Sequence, residues 1–193
     1  VEAGVAAAET ASVRQLARLL RRCLEEGRSV YVDQLGTFRP SPDGGFSFRP
    51  DAKPRVFLAY AVEDRAAVEA LYEDLARAGL APWMDCRKLL PGQDWRKAID
   101  GAIDTADFFV ACFSRISVRK RGNFQRELRR AMECAEQAPA GDVFLIPVRL
   151  DDCRLPEEIR RRWHYVDLFP APQEGTRQLV RIIRQEMRRR AAA

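Results

Sequence analysis

The sequence predicts an α/β fold: a doubly wound, mainly parallel five-stranded sheet flanked by helices, preceded by a small helix-plus-β-hairpin unit. Three observations carry this. From Arg55 onward, short continuous apolar runs alternate with stretches whose apolar residues recur at helical spacing. Those runs lack the apolar–polar alternation of a half-exposed strand, so their strands are expected to be buried on both faces, as in a parallel sheet. Before Arg55 the pattern differs, with one amphipathic helix followed by short alternating pieces around a glycine-rich turn. The prediction therefore divides the chain into residues 1–53 and 54–193.

In the first unit, Val13, Leu16, Ala17, Leu20 and Leu24 form a helical stripe, with Ser12 placed to cap its start and Gly27 its end. Strand-like pieces follow at 29–32, 36–38 and 46–48, with Asp43-Gly44-Gly45 as a turn signal between the last two. Residues 51–54 read as a linker. In the second unit, 55–60 is the first buried strand. Val68, Leu71, Tyr72 and Leu75 mark a helix closed by Gly79, and 81–84 a short second strand. Asp94 is placed to cap a helix carrying Trp95, Ile99, Ala102 and Ile103 inward. Residues 107–113 form the third strand, and Phe124, Leu128, Ala131 and Ala135 the inner stripe of the next helix. A fourth strand at 143–148, a short fifth at 165–168, and a last helix from about Thr176 with Leu179, Ile182, Ile183 and Met187 on one face complete the pattern. With right-handed crossovers, a flavodoxin-like order has its switch point between the first and third strands. Ligands bind at the carboxyl ends of strands there, which places a cleft at Tyr60-Ala61 and Phe113-Ser114.

Composition narrows the function classes. Among 193 residues, 47% are hydrophobic, enough for a sizeable core, and the formal charge is +5 with acids interleaved throughout. The nearest approach to a basic face is Arg181, Arg184, Arg188, Arg189 and Arg190, read as a solvated helix surface, so nucleic acid is not an expected partner. The five cysteines are scattered and form no C-x-x-C pair, which argues against a disulfide framework or a zinc site and suits a reducing, cytoplasmic setting. His164 is the single histidine and reads as structural, and no site needing two histidines is available. No apolar run approaches the ~20 residues that span a bilayer, so no membrane is expected. No secretory signal is seen. The chain begins with Val1, as expected of a processed product or an excerpt. No glycine-rich phosphate loop of the G-x-G-x-x-G or Walker type occurs.

Several stretches carry a family resemblance: RVFLAYAVED (55–64), WMDCRKLLPGQDW (83–95), DFFVACFSRISV (107–118), RGNFQREL (121–128) and VFLIPVRLDD (143–152). In this order and spacing they resemble the TIR domain family over about residues 54–190, and RGNFQREL resembles the helix start that bears the glutamate of bacterial-type TIR NAD⁺ hydrolases. The resemblance implies an effector of bacterial immune, antiphage signalling. It would cleave NAD⁺ to nicotinamide and ADP-ribose or a cyclic variant, with NAD⁺ as substrate and no cofactor or metal. Activation would come through TIR–TIR self-association and an upstream signalling partner. It implies Glu127 as the catalytic carboxylate. The substrate would lie against Tyr60, Ala61, Asp85, Ser114 and Asn123, with Lys88 near the phosphates and Leu90 and Trp95 against rings. For Trp95 burial as a helix anchor is the preferred reading, and Asp64 is read as a helix cap.

One residue departs from the family pattern. Asn123 stands four positions before Glu127, where many TIR hydrolases carry an aromatic side chain. That departure favours a second reading, a TIR adaptor that makes only protein contacts. A phospho-receiver is disfavoured because Ser114, not Asp, ends the third strand. The bland reading of Glu127 is a surface charge paired with Arg126 or Arg130. In the enzymatic reading its carboxylate faces a ribose carbon of growing oxocarbenium character. At the ordinary glutamate pKa of ~4.3 it would be ionised at neutral pH without special tuning. In the first unit, LEEGRSVYVDQLGTFRP (24–40) resembles the helix-to-strand segment of the HU/IHF family through Gly27, Val30, Gly36, Thr37 and Phe38. Residues 41–50 are too short for that family's DNA-gripping arms and hold a single Arg, so a packing or oligomerisation role is expected instead.

Overall fold

The computed structural model describes residues 15, 17–32, 36–41, 45–50, 53–88, 92, 94–139 and 141–192. Val1, Ser12, Val13, Leu16, Asp43, Gly44 and Leu90, all named above, lie outside them, as do the first two residues of the 51–54 linker. The chain divides into two compact units, Val1–Ala52 and Lys53–Ala193.

In the first unit, helix α1 covers residues 17–25 and Gly27 follows it with φ +76°. Strands β1 (Val30–Val32), β2 (Gly36–Pro40) and β3 (Phe46–Pro50) form an antiparallel sheet in sequence order, with Phe38 opposite Phe48. Those two rings meet at 4.6 Å.

The second unit holds β4 (Arg55–Ala59), α2 (Arg65–Arg77), β5 (Ala81–Trp83), α3 (Asp85–Lys88), α4 (Trp95–Asp104), β6 (Phe108–Phe113), α5 (Asn123–Gln137), β7 (Leu145–Arg149), α6 (Glu157–Arg162), β8 (Val166–Asp167) and α7 (Pro172–Ala192). The sheet order is β5-β4-β6-β7-β8 and every pairing is parallel, which is the predicted doubly wound architecture. All six residues of the central strand β6 are buried. Its side chains alternate between two cores, as the strand period of two requires. On one face Phe108, Val110 and Cys112 join Val56 and Leu58 of β4 beneath α2 (Val68, Leu71, Leu75) and α7 (Leu179, Ile183). On the other, Phe109, Ala111 and Phe113 join Phe57 and Ala59 beneath α4 (Ile99, Ile103), α5 (Phe124, Leu128, Ala131) and Ile159 of α6.

Helix ends follow local chemistry. Gly79, at φ +83°, closes α2, and the Leu80 N–H returns to the Leu75 carbonyl at 3.1 Å. Asp94 caps α4, its carboxylate accepting from the N–H groups of Arg96 and Lys97 at 3.2 and 3.3 Å. Three expectations are corrected. Trp95 does not point into the core: it is 39% exposed, because the first residue after the cap still faces solvent while Ile99 and Ile103 take the buried stripe. The last helix begins at Pro172, four residues before Thr176, with proline suited to a first turn that needs no N–H. Asp64 occupies the N-cap position of α2 without capping it.

The first turn of α7 rests against β8. A Cβ on Gly175 would lie 2.1 Å from the Asp167 carbonyl oxygen and 2.8 Å from Leu168. The nearest obstacle is backbone, so Gly175→Ala is expected to destabilise the fold by about 2 kcal/mol or more, read as a lowered urea midpoint. At the far end of α7, buried Glu186 accepts from Arg189 (2.7 Å), Arg190 (3.1 Å) and the Val143 N–H (3.2 Å). The Arg189 hydrogen bond is the largest of the influences that hold its carboxyl at about 2, far below the usual range.

Candidate active site

The cleft lies where the sheet order predicts, at the carboxyl ends of β4 and β6. It encloses about 310 Å³. Phe57 of β4 and Trp83 of β5 stack at 4.8 Å and form an aromatic wall together with Phe124 of α5. Phe124 is itself held edge-on against Phe113 at 5.3 Å. Tyr60, Ala61 and Asp85 line the strand ends, and Lys120, Arg121, Gly122 and Asn123 the approach to α5. Asn123, Phe124 and Glu127 reach one cleft because positions three and four apart share a helix face.

Glu127 is the chemically unusual member. It is 8% exposed, and among the described residues its carboxylate has no hydrogen bond and no ion pair. The neighbouring cations are engaged elsewhere, Arg126 with Asp100 at 3.7 Å and Arg130 with Asp104 at 2.8 Å. Surface pairing of Glu127 with either arginine is therefore not what the structure has. Burial, and then the negative charges of Asp85 and Asp100, push its carboxyl up to about 8, with Arg126 working in the opposite direction. The expectation of an ordinary glutamate pKa is corrected accordingly: burial raises this carboxyl well above the ordinary glutamate range.

Tyr60 and Asp85 fix the opposite rim. The Tyr60 hydroxyl donates to Asp85 Oδ1 at 2.5 Å, and the same oxygen accepts the Cys86 N–H at 2.7 Å. Burial and this hydrogen bond hold the Tyr60 phenol well above its usual pKa, so it remains a donor. Gly122 starts α5 at φ 147°, ψ −156°, a conformation that side-chain-bearing residues rarely adopt. An added Cβ would meet nothing within 4 Å, so the cost of Gly122→Ala is conformational alone. That variant is expected to lose about 1–3 kcal/mol of stability and to displace Asn123 and Phe124. A melting curve and the environment of the Phe124 ring report the two effects.

Not all expected residues meet here. Ser114 is buried beside the cleft and does not line it. Its hydroxyl donates to Asp64 at 2.7 Å and accepts the N–H groups of Ile116 and Ser117 at 3.2 and 3.0 Å, so it builds the turn after β6. Trp95 also lies outside the lining, with the guanidinium groups of Arg96 and Arg126 over its ring at 5.2 and 5.6 Å. Leu90 and the side chain of Lys88 lie outside the described residues. Sequence reasoning passed over Phe57, Trp83, Lys120, Arg121 and Phe124 as site residues. Lys120 is paired with Glu63, whereas Arg121 has no hydrogen-bond or ion-pair partner among the described residues. The available signal was the cation two residues before an Asn-started helix at the switch point. Among the described residues no cluster of His, Cys, Asp or Glu is arranged to hold a metal.

The TIR domain family matches residues 56–180 of the chain. The uncharacterised protein y4lF of Sinorhizobium fredii (strain NBRC 101917 / NGR234) is 27% identical over 128 residues, covering 63% of this chain and 36% of y4lF. The chain thus spans about a third of the length of that curated relative. Among solved structures, the TIR domain of the Toll-related receptor TRR-2 from Hydra magnipapillata superposes with a TM-score of 0.55 at 23% identity, over 67% of this chain and 97% of that one. A metazoan TIR-STING receptor from C. gigas gives a TM-score of 0.56 at 18% identity, over 66% and 38% of the two chains. A prokaryotic SEFIR domain gives 0.52 at 16% identity, over 68% and 99%. At these identities the likeness is one of fold.

Proposed function

The chain belongs to the TIR domain family, and from that premise we propose that it cleaves NAD⁺ to nicotinamide and ADP-ribose, or a cyclised form, with Glu127 as the catalytic carboxylate. The observation that carries this reading is Glu127 itself: a buried carboxyl group, without a partner among the described residues, on the wall of an aromatic cleft at the switch point of the sheet. The nicotinamide ring of NAD⁺ is flat and cationic. Trp83 and Phe124 on the wall offer rings to it, with Phe57 behind them, stacked on Trp83 at 4.8 Å and on Phe109 at 5.2 Å, and the charge of the nicotinamide ring favours the ionised form of Glu127. Arg121 and Lys88 are the candidates for the phosphates.

In the reaction the bond between the ribose carbon and the ring nitrogen breaks, and its electron pair returns to the nitrogen, leaving neutral nicotinamide. Positive charge grows on the ribose carbon, and the ionised Glu127 stabilises it from a fixed position. Water adds to that carbon and releases a proton. In a cyclising version a nitrogen of the adenine ring takes the place of water.

In this reading the protein acts in the cytoplasm, in bacterial immune signalling, assembled with copies of itself and switched by an upstream partner. Exposed Val62, Ile116 and Trp95 offer apolar contacts for assembly. No helix among the described residues is long and apolar enough to cross a membrane. The first unit lies outside the family match. Its exposed Phe46 and Phe48 support the packing or oligomerisation role over DNA binding.

The test is nicotinamide release from NAD⁺ by concentrated protein, with and without a crowding agent, beside Glu127→Gln. Release by the native chain and not by the variant is expected. Equal release by both removes Glu127 as the catalytic residue. Release by neither favours the adaptor reading, to which the exposed Asn123 at the cleft already points.

A further inference from the structure

Helix α7 carries arginines on two faces. On one, Arg189 and Arg190 are neutralised by Glu186 and Asp142. On the other, Arg177, Arg181, Arg184 and Arg188 follow one another at steps of four, three and four residues. Those steps align the four side chains on one side of the helix, over roughly 16 Å of its length. This face borders a groove of about 660 Å³ between α7 and α2, about twice the volume of the Glu127 cleft. Arg77 of α2 adds a fifth guanidinium. The one carboxylate among the described lining residues, Asp74, is taken by Arg77 at 2.5 Å. Arg184 donates to the Ala78 carbonyl at 2.7 Å and so ties the two walls together. Arg177 and Arg181 have no hydrogen-bond or ion-pair partner among the described residues. The exposed Glu174, one turn before Arg177, makes no ion pair with either of them.

We propose that this groove binds a nucleotide carrying two or more phosphates. Guanidinium groups grip phosphate oxygens through paired, charge-assisted hydrogen bonds, and a row of them about 5–6 Å apart provides for more than one phosphate. The rest of the lining suits the other half of such a ligand. Val180 and Ala78 give an apolar floor, and the amides of Gln173 and Gln185 can both donate to and accept from the edge of a base. The volume falls within the range of small-molecule sites, about 300–1,000 Å³. A second copy of this chain is a poor occupant, because a two-fold contact would set the arginine row against itself. The groove shares no lining residue with the Glu127 cleft, so the inference stands apart from the proposed reaction.

The experiment is calorimetric titration of ATP, AMP and inorganic triphosphate into the full chain at low salt, repeated with Arg177→Ala/Arg181→Ala and with Glu127→Gln. Both arginines are solvent-exposed, and a melting curve confirms that the double variant folds. ATP is expected to bind at least tenfold more weakly to the double variant and equally well to Glu127→Gln. AMP is expected to bind the native chain at least tenfold more weakly than ATP. Unchanged ATP affinity in the double variant overturns the site. AMP binding as tightly as ATP overturns the role of the arginine row, and triphosphate binding as tightly as ATP overturns the place given to the base. No binding of ATP to the native chain overturns the nucleotide occupant.

Discussion

Glu127→Gln is expected to lower the rate constant for nicotinamide release about 10²–10³-fold, the usual effect of removing one charge-stabilising group from a preorganised site. The substitution keeps the shape of the side chain and breaks no hydrogen bond or ion pair, since the structure gives Glu127 none among the described residues. The loss should therefore appear in kcat rather than in folding or expression. It should also fall on kcat more than on KM, because the charge opposite Glu127 is fully developed only in the transition state. A second signature separates this role from a structural one. The free enzyme must ionise a group held up to about 8, so kcat/KM is expected to rise with pH through that value and level off above it. A native profile that is flat between pH 6 and 9 would contradict the assignment even if the variant were inactive.

The legibility of this chain in its sequence follows the physical range of each signal. The central strand β6 was readable because every residue of it is buried, giving an unbroken apolar run. Helix α5 was readable because its inner stripe keeps a strict helical period. The four-residue α3 and six-residue α6 are too short to show periodicity, and they escaped notice. The position of the cleft followed from strand order alone, and Tyr60, Ala61, Asp85, Asn123 and Glu127 do border it. Its walls were harder to read. Trp83 and Trp95 stand at the two ends of the same family-like stretch, but Trp83 sits on a three-residue edge strand, where a tryptophan looks like any half-buried residue, whereas Trp95 follows a helix cap and reads as an anchor. Ser114 and Asp64 lie fifty positions apart, and their 2.7 Å hydrogen bond leaves no trace in local pattern. The same holds for the ionisation of Glu127. Its nearest formal charges in sequence are arginines, which suggest a salt bridge, but the fold turns those arginines toward Asp100 and Asp104 and leaves the carboxylate facing the cleft.

That arrangement has a cost in stability that pH can expose. Below about pH 4.5 Glu127 is protonated in both the folded and unfolded chain and carries no penalty. As pH rises, the unfolded chain loses this proton near 4.5 while the folded chain keeps it until about 8, so stability falls across that window and then levels off. The full difference is on the order of 5 kcal/mol for a group this buried. Glu186 has the opposite sign. Its folded value is lowered to about 2, so its contribution is complete above pH 4.5 and is lost as pH falls through that range. Between them the two glutamates favour maximum stability near pH 5. Urea unfolding at pH 5, 7 and 9 is therefore expected to show a falling midpoint for the native chain and a much flatter one for Glu127→Gln, with the denaturant slope unchanged. Parallel curves for the two proteins would mean that Glu127 is hydrated and ionised in the folded state. If the proposed chemistry holds, a stable analogue bearing a pyridinium ring should raise the native midpoint more at pH 9 than at pH 5, because it binds the ionised form that burial disfavours. The same analogue should give Glu127→Gln no such pH-dependent gain, and this ties the stability of the protein to the charge of the ligand it is proposed to cleave.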